Sequence, residues 1–391
     1  MNGRQSPSMR RTILRRRAVA VAAAAIATLL LWQLLPAGGE DGGDEPPPLT
    51  AAIVSSEAEE LLASLSAEEK VRELVLGAMP AGEPTAAIGG AVLVTGEAWP
   101  GDGGPDWIDA IRERTTSPVP PIFVTRQEGG VYRELRDLPP GEDELEIGER
   151  GSAATARGWA QRGAEALAAA GLRLNLAPVA DVATLDSPIA DRAFSDQAPV
   201  VARLIAATMR GCRAGGIACA PSHFPGLGGA SQDTDSGPAT VSVDASTLLT
   251  RDLAPFIAAF DRGAPAIVVS HAFYAAHDPV TPGSQSRMVL DELLRGELGF
   301  EGAAITDDLQ AGAIRLGQRV PEAAVAAITA GADLVQIGDP DAVEPALRAL
   351  DSAADAGTIP PERLDAAAGR ALELKLRAGV IDAQGKRFRV R

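Results

Sequence analysis

Cysteine, histidine and aromatic side chains are all scarce in this 391-residue chain: two cysteines, three histidines and 4% aromatics. Two cysteines cannot build a disulfide framework. The histidines (His223, His271, His277) show no HExxH or comparable ligand spacing, so no metal is expected. GxGxxG and Walker stretches are absent too, so no nucleotide cofactor is expected. Cations are scarce relative to acids. A formal charge of −16 argues against a nucleic-acid partner, because phosphate binding draws most of its affinity from Lys and Arg. What is abundant is apolar material, 46% of residues, enough for a large core and against wholesale disorder. The length suits two or three domains, or one barrel of about 250 residues or more.

The charge is unevenly spread. Residues 1–17 hold six arginines and no acid, which leaves 30 cations against 52 carboxylates in the remainder. This basic head precedes an apolar run, 18–35, broken only by Thr28 and Gln33. At 1.5 Å per residue such a run just spans a bilayer core, and the arginines predict that the head stays inside while the body lies outside. Trp32 suits the outer interface, and Pro36-Ala37-Gly38-Gly39 stops the helix. A cleaved signal peptide is the competing reading and a buried core helix a third; Leu35-Pro36-Ala37 is a poor cleavage site. The sequence therefore divides into a basic head (1–17), a membrane helix (18–36) and a Gly/Pro/acid-rich tether (37–54). A folded body (55–382) and a basic tail (383–391) follow. An extracytoplasmic body would permit oxidation of Cys212 and Cys219.

Within the body, apolar runs at 73–79, 89–95, 121–126, 172–179, 216–222, 266–272, 302–307 and 332–338 read as strands. Ala-rich amphipathic runs at 154–170, 199–214, 246–262, 288–297, 321–331 and 361–380 read as helices. Asp244 and Ser286 look like helix starts, and Gly171 and Gly331 like stops. Repeated strand–helix alternation implies a parallel sheet. Eight strands favour a closed α/β (β/α)8 TIM-like barrel over an open doubly wound sheet.

In such a barrel, chemistry gathers past the C-terminal strand ends. The polar residues there are Arg126, Gln127 and Glu128, then Asp181, Ser222, His223, His271, Asp307, Asp308 and Asp339. Of the two acids ending the seventh run, Asp308 fits a capping role and Asp307 would point into the mouth. A long Gly/Pro-rich loop begins at Ser222-His223-Phe224-Pro225-Gly226 and ends in Asp233-Thr234-Asp235-Ser236.

Several ordered motifs carry a resemblance. They are Leu65-Ser66-Ala67-Glu68-Glu69-Lys70-Val71, Gln127-Glu128-Gly129-Gly130, Asn175-Leu176-Ala177-Pro178-Val179-Ala180-Asp181-Val182 and Asp191-Arg192-Ala193-Phe194. His223-Phe224-Pro225-Gly226, Ser270-His271 and Thr306-Asp307-Asp308-Leu309 complete the set. Together they resemble the barrel domain of glycoside hydrolase family 3, in its single-domain β-N-acetylglucosaminidase branch, over almost the whole body. The resemblance implies a carbohydrate substrate and a retaining mechanism with a covalent glycosyl-enzyme. It maps the nucleophile onto Asp307 and sugar-lining positions onto Arg192, His223 and His271, with Glu128 inside a matched motif.

The chain also departs from that pattern. The lysine that precedes the family's His-Phe pair is Ser222, and no lysine lies between Lys70 and Lys375. The family's acid/base histidine, third in an Asp-Ser-His stretch, is Asp235. Its sugar-binding aspartate before Gln-Glu-Gly-Gly is Arg126. Gly226-Leu227-Gly228-Gly229 replaces a Gly-His-Gly-Asp stretch. Asp235 could serve as acid/base if its pKa were raised by nearby acids. Arg126 has three readings: binding an acidic sugar or lactyl/peptide carboxylate, pairing with Glu128, Asp307 or Asp308 to block the site, or a solvated surface position. His271 has the alternative of a buried, backbone-bonded histidine, and Arg192 that of a salt bridge with Asp181 or Asp191. The leading expectation is a membrane-tethered glycosidase acting on terminal β-linked N-acetylhexosamine or a related cell-wall glycoside. An inactive sugar-binding barrel and a protein-contact scaffold stand beside it.

Overall fold

The computed structural model describes residues 54–82, 89–115 and 117–382. The expected head, membrane helix, tether and basic tail lie outside the described residues, apart from Val54. Among the described residues no helix is long and apolar enough to cross a membrane.

Eight parallel strands run in sequential neighbour order: β1 Val75–Ala78, β2 Ala91–Leu93, β3 Ile122–Thr125, β4 Leu174–Asn175, β5 Ala218–Cys219, β6 Ala266–Val269, β7 Ala303–Asp308 and β8 Leu334–Ile337. β1 pairs with β8 as well as β2. The remaining seam, β5 to β6, closes just past the end of β5. There Phe224 bridges Val269 in parallel, Phe224 N donates to Val268 O, and Ser270 N donates to Phe224 O. The sheet is thus a closed barrel; seven of the eight runs read from sequence contain one strand each, and the run 302–307 stops one residue short of the end of β7 at Asp308.

Alternation along the strands sorts the side chains. Leu76, Leu93, Val124, Leu174, Ala218, Val268, Ile305 and Leu334 fill the interior, while Val75, Val92, Phe123, Ile267, Ala304 and Val335 face the helices. Helices Gly104–Arg114, Ala153–Ala169, Ala198–Ala214, Ala254–Phe260, Met288–Glu297, Val320–Ala330 and Pro340–Asp355 follow β2 to β8 in turn. No helix appears among the described residues between β1 and β2. The caps follow their residue types. Asp244 accepts from Thr247 N and Ser286 from Val289 N, while Gly171 and Gly331 hold φ of 93° and 126°, where a Cβ is costly.

The N-terminal end of the barrel is plugged by Ser56–Ser64 and Pro361–Arg377, whose apolar faces join the interior core. Polar groups buried there are paired. Glu73 meets Lys375 at 2.5 Å, and Asp333 gathers Arg295 and Arg363, each at 2.7 Å, and Arg370 at 3.4 Å. With that end committed to structure, only the C-terminal mouth is left for chemistry. On the outer layer, a disulfide joins Cys212 on helix Ala198–Ala214 to Cys219 on β5, with Cα atoms 6.1 Å apart.

Candidate active site

Asp307 lies two residues beyond the inward Ile305 on β7, where the pairing with β8 shifts register, and is only 7% exposed. Its Oδ1 accepts from Asp308 N at 2.9 Å. Burial pushes its pKa up, but His223, His271, Arg126 and the Asp308 N–H together outweigh that, and the carboxyl sits below its ordinary range. Among the described residues no guanidinium forms an ion pair with it. Asp308 faces away into a structural role: its Oδ1 accepts from Gln310 N (3.0 Å) and Gly338 N (2.9 Å), tying β7 to β8. Gly338 has to be glycine, because a Cβ there would lie 2.1 Å from Asp308 Oδ2.

His223 follows β5. Asp181, buried past β4, accepts from its Nδ1–H at 2.7 Å, from its backbone N at 3.2 Å, and from Leu227 N at 2.5 Å. One carboxylate thereby orients the ring and the loop start together. Burial lowers the imidazole pKa, yet Asp181 and Asp307 outweigh burial and the opposing Arg192, and the net shift is upward. Arg192 Nη2 lies 3.4 Å from His223 Nε2.

The fork of Arg192 closes on Glu128, Nε to Oε2 at 2.9 Å and Nη2 to Oε1 at 2.7 Å. Burial would raise the Glu128 pKa, but Arg192 dominates and holds it low. The alternative reading of Arg192, an ion pair with Asp181 or Asp191, is thus not what forms: its partner is Glu128, which reaches it across the fold. Asp191 instead accepts from the Tyr132 hydroxyl, whose pKa is pushed up to about 12 by burial and by Asp191.

His271 is fully buried with both ring nitrogens engaged, Nδ1 with Ser284 Oγ (2.7 Å) and Nε2 with Asp308 O (2.9 Å). As a direct sugar contact it is corrected: no ring nitrogen is left to meet a ligand, and the residue steadies the end of the nucleophile strand. Ser222 is 2% exposed, and its Oγ has no hydrogen-bond partner among the described residues.

Asp235 is exposed on the loop after β5. Its loop is anchored by backbone bonds to helix Gly312–Arg315 beyond β7, Gly312 N to Asp235 O and Ala313 N to Thr234 O, both 2.9 Å. Partial desolvation and the negative charges of Asp307 and Asp233 raise the Asp235 pKa, against Arg126 and Arg192. Arg126, past β3, is half-buried and forms no ion pair or side-chain hydrogen bond among the described residues. The blocking pair with Glu128, Asp307 or Asp308 is absent.

The mouth thus brings an ionised, buried carboxylate and a second carboxyl biased toward its proton into one electrostatic neighbourhood, an arrangement suited to acid-assisted displacement at an acetal carbon. The family model of the glycosyl hydrolase family 3 N-terminal domain matches residues 84–374. The chain belongs to glycosyl hydrolase family 3. A beta-hexosaminidase of Xanthomonas campestris pv. campestris (strain B100) is 34% identical over 244 residues, 61% of this chain and 73% of that protein. Among solved structures, a family 3 beta-N-acetylglucosaminidase from a Paenibacillus species superposes with TM-score 0.76 at 30% identity. The match covers 81% of this chain and 63% of that one. The beta-N-acetylhexosaminidase of Beutenbergia cavernae gives TM-score 0.71 at 31% identity, over 79% of this chain and 98% of that one.

Sequence reasoning missed one family 3 mouth residue altogether. Glu144, 1% exposed, accepts from Val179 N with both oxygens (3.0 and 3.1 Å). Burial and then the charge of Glu128 push its pKa well up, and its two oxygens support the β4 loop through Val179 N. It follows no strand directly and sits at the start of a short helix, Glu144–Arg150, so no pattern marked it.

Proposed function

We propose that this family 3 protein hydrolyses a terminal β-linked N-acetylhexosaminide, or a related cell-wall glycoside, with retention of configuration. Asp307 attacks the anomeric carbon while Asp235 protonates the departing oxygen; Asp235 then takes a proton from the water that releases the sugar. The observation that carries this reading is the state of Asp307: inward-facing, biased toward its anion, and clear of any guanidinium. The names of the Xanthomonas, Paenibacillus and Beutenbergia relatives support the substrate class. The decisive experiment is proton NMR of a chromogenic β-N-acetylhexosaminide mixed with the full-length protein in mild detergent. The first-formed sugar should be the β-anomer, and added methanol should give the β-methyl glycoside. An α-anomer first would overturn the double-displacement assignment.

We also place the body outside the cytoplasmic membrane, tethered by residues 18–36. The arginine-rich head before the apolar run and the Cys212–Cys219 disulfide support this. Protein taken from its host under thiol-blocking conditions should carry no alkylated cysteine. Reduction should then cost about 2–3 kcal/mol of stability, the loop-closure value for so short a loop, read as a lower denaturation midpoint. Two alkylated thiols would overturn the placement.

A further inference from the structure

Arg126 is a cation of the mouth that takes no direct part in the proposed reaction. It continues the inward register of Val124 on β3. In the closed order of eight strands, β3 stands four places from β7, on the opposite wall from Asp307. That placement explains why the two charges feel each other without forming an ion pair: the mouth lies between them. Asp307, Asp308, Glu134 and Glu128 supply the negative field that keeps Arg126 charged, yet none takes one of its N–H groups. Arg192 shows the contrast. It lies in the same mouth, and its Nε and Nη2 are held by Glu128.

A pyranose with C1 at Asp307 and its ring laid across the mouth points its far edge at the opposite wall. C4 is the ring carbon farthest from C1, flanked by C3 and by C5 with its exocyclic C6. The acetamido group on C2 sits beside the reacting carbon and does not reach that edge. A guanidinium offers a planar fork of N–H donors, which a carboxylate engages with two parallel bonds and a hydroxyl with one.

We propose that Arg126 is a specificity-determining residue that selects a glycoside carrying a carboxylate on the C3–C6 edge of the ring. This rests on the reading that a sugar occupies the mouth with C1 at Asp307. Two sources share that chemistry, the C6 carboxylate of a uronic acid and the lactyl ether carboxylate on O3 of an N-acetylmuramic acid.

Titration calorimetry on the full-length protein in detergent tests it without requiring turnover. The probes are N-acetylglucosamine, glucuronic acid and N-acetylmuramic acid. At least one acid should bind about 10- to 100-fold tighter than N-acetylglucosamine, the range for a charge-assisted pair, and whichever does so names the source. The Arg126→Gln ratio of acid to neutral affinity should fall toward one. Arg126→Lys, which keeps the charge and loses the fork, should fall between them, with thermal melts showing that both variants are folded. Equal wild-type affinity for acidic and neutral sugars, or a ratio unchanged in Arg126→Gln, would overturn the proposal. The two readings fail separately. Arg126-dependent acid binding without hydrolysis of any glycoside keeps this inference and removes the enzyme; hydrolysis of neutral glycosides with no acid binding does the reverse.

Discussion

Asp307→Asn is expected to lower kcat about 10⁴- to 10⁶-fold while leaving the protein folded, the scale seen when a catalytic nucleophile is removed. The substitution is nearly isosteric. Its side-chain oxygen can still accept from Asp308 N, the bond that fixes the native carboxylate, so the end of β7 keeps its geometry. What disappears is the charge that attacks. That charge is favoured in the wild type by His223, His271, Arg126 and the Asp308 N–H, which together outweigh burial. An activated fluoro-sugar should label the wild type with one glycosyl unit by mass spectrometry and leave the variant unlabelled. A folded variant that turns over at the wild-type rate would end the nucleophile assignment and, with it, the double displacement.

The fold was legible because its signal is local. Eight short apolar runs separated by amphipathic ones leave little besides a parallel barrel. The errors at strand ends are local as well. Runs 172–179 and 216–222 read longer than Leu174–Asn175 and Ala218–Cys219 because Pro178 and Pro221, lacking an N–H, cannot donate to a ladder. The site was legible in identity and less so in pairing. Glu128 lies 64 positions from Arg192 and Asp181 lies 42 from His223, and no periodicity encodes which acid meets which cation. His271 shows the same limit. Its position after a strand suggested the mouth, but Ser284 and the carbonyl of Asp308, each contributed by another segment, occupy both nitrogens. Arg126 could be flagged from its residue type alone. That it stands unpaired follows from the diameter of the barrel, which appears only once the eight strands close.

Asp235→Asn should cost about 10²- to 10⁴-fold in kcat for substrates with poor leaving groups, the usual worth of a positioned acid. The size of the loss should depend on the leaving group. A dinitrophenyl glycoside departs without a proton, so its first step should survive. The loss then moves to the second step, where water lacks its base, and azide, which needs none, should restore the rate. The pH profile supplies an independent sign. Asp307 must be ionised, and its pKa is lowered, so kcat/KM falls on the acid side as pH drops through it. Asp235 must be protonated, and its pKa is raised by desolvation, Asp307 and Asp233, so kcat/KM falls on the basic side as pH rises through it. The Asn variant should keep the acid limb and lose the basic one. A purely structural role for Asp235 would lower both limbs without moving either. That outcome is disfavoured because the loop is held through the backbone oxygens of Thr234 and Asp235, which the substitution leaves in place. An unchanged profile with unchanged turnover would instead show that the proton comes from elsewhere in the mouth. His223 would then be the group to test next, since its pKa is raised and Asp307 is one of the charges raising it.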